Sequence, residues 1–141
     1  MTLDEAIQEF EFDCKIRHLS PKTIDNYKKQ LRYFERFLAN ELSITSVEDV
    51  KPSHIKSFLS KMDDAGRKPQ YINDLLKVYK TFFNYLESEG HIESSPAKRI
   101  RDIIRHLKEQ KKAASNQKQQ KTKSATRLFL EHHGTVSYLS E

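Results

Sequence analysis

The sequence predicts an all-α fold, a bundle of four to five helices followed by a flexible basic C-terminal tail. Three observations predict it. Only 3 Gly and 4 Pro occur in 141 residues, too few turn formers for a β-sandwich or barrel. Apolar residues recur at spacings of three and four over long stretches, which is the period of an amphipathic helix. Prolines stand at the heads of those stretches, where a helix tolerates a missing N–H. A chain of this length has room for one compact domain and not comfortably for two. That domain is expected over residues 1–107, with 108–141 as linker and tail.

The elements follow in order. Thr2 with Glu5 three residues later is a capping-box pattern, and Leu3, Ala6, Ile7, Phe10 and Cys14 then step along one helix face to about residue 17. Ser20-Pro21 supplies an N-cap and an N1 proline, after which Ile24, Tyr27, Leu31, Phe34 and Leu38 form the most regular apolar stripe in the chain. Residues 41–51 hold Leu42, Ile44, Val47 and Val50 in a polar setting too irregular for a long helix. Pro52 opens a third helix with Ile55, Phe58, Leu59 and Met62, and Gly66 ends it. Pro69 opens the fourth, whose Ile72, Leu75, Leu76, Tyr79, Phe82, Phe83 and Leu86 make the widest apolar face, stopping at Gly90. This is the expected central core helix. Ser95-Pro96 restarts the chain toward a last helix carrying Ile100, Ile103, Ile104 and Leu107.

With 36% hydrophobic residues, a net charge of +5, a pI near 9.2 and a mean hydropathy of -0.79, the chain reads as a water-soluble, moderately basic protein. Its single Cys excludes an intramolecular disulfide framework and a multi-Cys zinc site. The opening MTLDEAIQEF carries early acids and no long apolar run, so neither a signal peptide nor a membrane span is expected. The expected address is cytoplasmic, with no membrane partner. Charge is unevenly distributed: residues 1–107 hold 18 Lys/Arg against 17 Asp/Glu, whereas 108–127 hold seven basic residues against Glu109 alone. This Lys/Gln-rich stretch has almost nothing to bury and reads as a flexible basic linker. Residues 128–141 are too short to fold independently.

Ser20-Pro-Lys-Thr-Ile-Asp-Asn-Tyr-Lys-Lys-Gln-Leu, the stretch from Ile44 to Val50, Thr81-Phe82-Phe83-Asn84-Tyr85-Leu86, Glu89-Gly90-His91-Ile92 and Ser95-Pro96-Ala97 together resemble the core-binding domain of tyrosine recombinases, the phage integrase and Xer-like family. The resemblance covers roughly residues 3–105 and rests on the ordered set, since no single motif in it suffices. It implies an orthogonal, SAM-like helical bundle that grips one face of a core DNA site during DNA integration and recombination, with double-stranded DNA and other recombinase subunits as partners. In that family a separate domain cuts and rejoins the DNA with two arginines, a lysine, histidines and a tyrosine nucleophile. Such a domain is longer than everything after residue 107, so no catalytic residue and no enzymatic activity are expected here. Tyr138 lies near the C-terminus, but no His-x-x-Arg precedes it, and His132-His133-Gly134-Thr135 supplies no arginine to clamp a phosphate.

A DNA face can also be argued from the residues. At 100° per residue the stripe of the second helix leaves Lys22, Lys29, Tyr33 and Arg36 on the opposite side, with Arg32 at its edge. On the fourth helix Gln70, Asn73, Lys77, Lys80 and Asn84 fall away from the core, with Asp74 the one acid among them. Lysines meet phosphates, while amides read base edges. Arg67 and Lys68 add charge just before the fourth helix, whose N-terminus can receive a phosphate. The resemblance assigns base preference to Gln70, Tyr71 and Asn73. The rival reading is a solvated helix face, and the rival function is a helical interaction adaptor that no longer binds DNA. The histidines His18, His54, His91, His106, His132 and His133 include no i, i+4 pair, so no metal is expected. Cys14 reads as a small core residue. No cofactor and no small-molecule substrate are expected.

Overall fold

The helix starts follow from local chemistry. In the computed structural model, which describes residues 1–100 and beyond them only Ala113, four α-helices form: α1 (Leu3–Ile16), α2 (Pro21–Leu42), α3 (Pro52–Asp64) and α4 (Pro69–Ser88). The Thr2 hydroxyl accepts from the Glu5 N–H and donates to the Glu5 carboxylate, so the box closes through side chains. Ser20 accepts from the Thr23 N–H at 3.2 Å and sets Pro21 at the head of α2. His54 Nδ1 accepts from the Lys51 N–H at 2.9 Å and caps α3, a role its sequence position did not announce.

Three helices end in the same way. Gly66 (φ +83) follows α3 and Gly90 (φ +77) follows α4, each in the left-handed region that lets the last carbonyls be capped by following N–H groups. After α1 the same hydrogen bonds form around His18 at φ 60, which carries a side chain where glycine is preferred.

Two aromatic clusters hold the helices together. Phe34 of α2 stacks on Tyr79 of α4 at 4.7 Å and meets Phe58 of α3 at 5.5 Å and Phe83 at 6.4 Å. Phe10 of α1 packs edge-on to Phe82 at 5.5 Å and beside Tyr85 at 5.4 Å and Tyr27 at 5.8 Å. Both clusters use α4, in keeping with its expected central place. The irregular stretch before α3 contains a short 3-10 turn, Val47–Asp49, that buries Val47 and Val50. Its strand-like approach pins the start of α1, since Leu3 N–H donates to the Thr45 carbonyl at 2.8 Å and Val47 N–H to Met1 at 3.0 Å. After α4, Ala97 and Ile100 return to the core.

The fold is thus all-α, as the periodicities imply. The chain divides into two units, Met1–Ile104 and Arg105–Glu141, and everything described here belongs to the first, apart from Ala113, which is helical and exposed. Most of the expected last helix, the basic linker at 108–127 apart from Ala113, the tail at 128–141 with Tyr138, and His106, His132 and His133 lie outside the described residues. Among the described residues, no helix is long and apolar enough to cross a membrane.

Candidate nucleic-acid interface

The cations of α2 part into two groups according to the face they occupy. Lys28 and Arg32 turn toward α1, where Lys28 Nζ lies 3.8 Å from Glu11 and Arg32 Nη1 lies 2.6 Å from Asp4 Oδ1 and 2.9 Å from Glu35. The Arg32 hydrogen bond holds the Asp4 carboxyl below the usual carboxylate range. Lys15 and Arg17 of the α1 region are likewise paired, to Glu11 and Asp13. By contrast Lys22, Lys29, Arg36, Lys68, Lys77 and Lys80 form no ion pair among the described residues. The balance of charge over residues 1–107 therefore conceals a segregation: acids neutralise the cations between α1 and α2, and the outer side of α2 keeps its positive charge.

Tyr33 sits in the middle of that outer side. It is 40% exposed, with Lys29 Nζ 6.0 Å and Arg36 Cζ 5.0 Å from its ring centroid. These are the i−4 and i+3 neighbours that a helix brings alongside a ring, and the ring quadrupole attracts both.

Beside Tyr33 a groove of about 620 Å³ opens between α2, the C-terminal half of α3 and the start of α4. Lys29, Tyr33, Arg36, Lys61, Arg67 and Tyr71 line it, with Phe37, Phe58 and Met62 as apolar walls. Lys61 Nζ is 2.8 Å from Glu41, the one acid of the lining, and 5.3 Å from the Phe37 ring. Arg67 Cζ stands 5.2 Å from the Tyr71 ring. Gln30 ties the two sides: its side-chain Oε1 accepts from Tyr71 OH and its carbonyl from Tyr79 OH, each at 3.4 Å. Burial pushes the Tyr79 phenol well above its usual value, so it remains a donor.

Five of the residues expected at a DNA face, Lys29, Tyr33, Arg36, Arg67 and Tyr71, thus share one groove. Lys22 lies on the same face of α2, nearer its start, and Lys68 is the N-cap of α4. Gln70, Asn73, Lys77 and Lys80 are not in the groove lining. Tyr71, expected with Gln70 and Asn73 near the start of α4, where the resemblance puts groove contacts, points away from Asn73 because two helical residues subtend about 200°. Gln70 Nε2 donates to Asp74 at 3.0 Å, which occupies one of its donors. Lys61, Gln30 and Asn40 were not anticipated. Nothing local marks them, for each reads as a polar residue on a solvated helix, and only the packing of α3 and α4 against α2 brings them to one surface.

Cys14 is fully buried, and burial raises its thiol pKa, as a core residue requires. His91 Nε2 lies 3.0 Å from Glu9, and His18 is exposed. No group of three or more His, Cys, Asp and Glu among the described residues is placed to hold a metal.

Residues 7–90 match the family described as phage integrase, N-terminal SAM-like domain. Among curated proteins the chain is similar to a tyrosine recombinase of Thermosipho africanus, 31% identical over 102 residues that make up 70% of this chain and 35% of that protein. It is 33% identical over 85 residues to tyrosine recombinase XerC of Chlorobaculum tepidum, covering 57% of this chain and 25% of the relative. It is 25% identical over 95 residues to tyrosine recombinase XerD of Listeria monocytogenes, covering 67% and 32%. The chain spans about a third or less of the length of these relatives. No solved structure matches it.

Proposed function

The chain belongs to the phage integrase N-terminal SAM-like domain family, and from that membership we propose that it is a DNA-binding module that grips the core site of a recombination reaction without itself cutting DNA. The observation that carries this reading is the set of cations on the outer side of α2 and on α4 that form no ion pair among the described residues, while those facing α1 are neutralised. Lys22, Lys29 and Arg36 supply phosphate contacts from α2, and Lys77 and Lys80 supply them from α4. Arg67 and Lys68 add charge at the α4 N-terminus, where N–H groups and the helix dipole favour a phosphate. Base preference falls to Gln70 and Asn73, whose amides suit base edges, and to Tyr71 from the groove side, whose ring suits the thymine methyl. Strand cutting and rejoining come from a recombinase catalytic domain, and the module works in the cytoplasm beside other recombinase subunits.

A shift assay with a pool of random duplexes at low salt, followed by sequencing of what binds, tests the reading. Retention of duplex that weakens steeply with salt is expected, with enrichment of a preferred site that Asn73→Ala weakens by about 1 to 3 kcal/mol. A pool recovered unenriched and with no salt dependence overturns it.

One observation favours a second reading, that of a helical adaptor. Phe12 and Ile16, 65% and 59% exposed, stand one turn apart on α1 and leave an apolar patch open to solvent. An adaptor docking through such a patch would bind a protein with little sensitivity to salt.

A further inference from the structure

We propose that the groove between α2, α3 and α4 receives an unpaired nucleobase, so that the protein binds single-stranded DNA through base stacking as well as through phosphates. This rests on the reading that the α2 cations meet DNA, and it adds a ligand that duplex binding does not need. A duplex buries its base faces in its own stack and offers a protein phosphates, sugars and base edges. An unpaired strand can turn a base outward and lay its π-face against an aromatic ring or a guanidinium.

The groove supplies what such a base requires. At about 620 Å³ it falls within the roughly 300–1,000 Å³ of clefts that enclose small organic groups, room for a base and its sugar. Tyr33 offers a half-exposed ring, and the Arg36 guanidinium, its Cζ 5.0 Å from the ring centroid, is a second planar group on which a base can lie. Tyr71 carries Arg67 in the same arrangement on the α4 side. Phe37, Phe58 and Met62 provide an apolar wall, and the amide N–H groups of Gln30 are available to a base edge while its oxygen is held by Tyr71. Of the cations lining the recess, Lys29 and Arg36 form no ion pair among the described residues, and the one acid of the lining, Glu41, is already paired with Lys61. The charge therefore suits the phosphates on either side of the inserted base.

The test uses the full chain and three labelled ligands at low salt: a dT oligonucleotide, an abasic oligonucleotide of the same length, and a duplex. The two single strands carry the same phosphates, so their affinity ratio isolates the bases. Roughly tenfold or greater preference for dT is expected, from stacking of even one base. Tyr33→Phe keeps the ratio, because a phenyl ring stacks as well, and Tyr33→Ala brings it toward one. Since the chain contains 6 Tyr and no Trp, quenching of tyrosine fluorescence by dT but not by the abasic strand gives a second readout. Equal binding of dT and abasic strands, with duplex binding intact, overturns the base site and leaves the DNA-binding reading standing. A dT preference that survives Tyr33→Ala removes the assignment to this groove. Loss of all three ligands sinks both readings together.

Discussion

Arg32 and Arg36 stand one helical turn apart on α2 and do different work. Arg32 bridges Asp4 and Glu35, clamping α1 to α2, whereas Arg36 lies over Tyr33 and forms no ion pair among the described residues. Arg36→Ala should therefore weaken DNA binding at low salt and leave the fold intact. Arg32→Ala should lower the melting temperature while preserving the salt dependence of DNA binding. Titrations monitored by thermal melting and by anisotropy separate the two, and equal effects on both would contradict the division. Asp4 gives the same contact a pH dependence. Its folded-state pKa lies below the usual value, so its contribution is fully present above the ordinary carboxylate range and is lost as pH falls through the lowered value. Asp4→Asn should therefore flatten the loss of stability on acidification below about pH 4, read from denaturation midpoints. The sequence places Arg32 at the edge and Arg36 on the far side by angle alone. It could not pair Arg32 with Asp4, because 28 residues of chain separate them and only packing of α1 on α2 closes that distance.

At the scale of elements, the helix ends show which signals a sequence carries. Prolines 21, 52 and 69 mark the starts of α2, α3 and α4, and Gly66 and Gly90 mark the ends of α3 and α4. The end of α1 uses the same left-handed cap but places His18 there, so no glycine announces it. Two substitutions test the shared geometry from opposite sides. Gly66→Ala meets no neighbouring atom within 4 Å, so its cost is the backbone strain of φ +83, about 1 kcal/mol in urea denaturation. His18→Gly relieves that strain and should be neutral or stabilising by up to about 1 kcal/mol. A stabilising Gly66→Ala would show that α3 ends otherwise. The α4 residues illustrate the opposite limit: the resemblance assigns one role to Tyr71 and Asn73 at the start of the helix, yet helical rotation sends Tyr71 to the groove and leaves Asn73 outside its lining.

Across the whole molecule, the core was legible because its apolar residues repeat with helical period in the four α-helices, and Leu31, Phe34, Leu38, Ile72, Tyr79 and Phe83 are all buried as that period requires. The groove was not legible. It is made by three helices at once, and Lys61 joins it only because α3 lies beside the second half of α2. The charge pattern falls between the two cases, since periodicity gives the faces but only the ion pairs show which cations are neutralised. The most direct test of the central claim is the affinity of the full chain for duplex DNA measured across a salt series, alongside Lys29→Ala and Lys77→Ala. Binding should fall linearly on a log–log plot, and each substitution should make the slope shallower by about one unit while weakening all sequences alike. Salt-independent binding, or variants that keep the parent slope, would mean that these helix faces are solvated surface and that the molecule does not hold DNA with them.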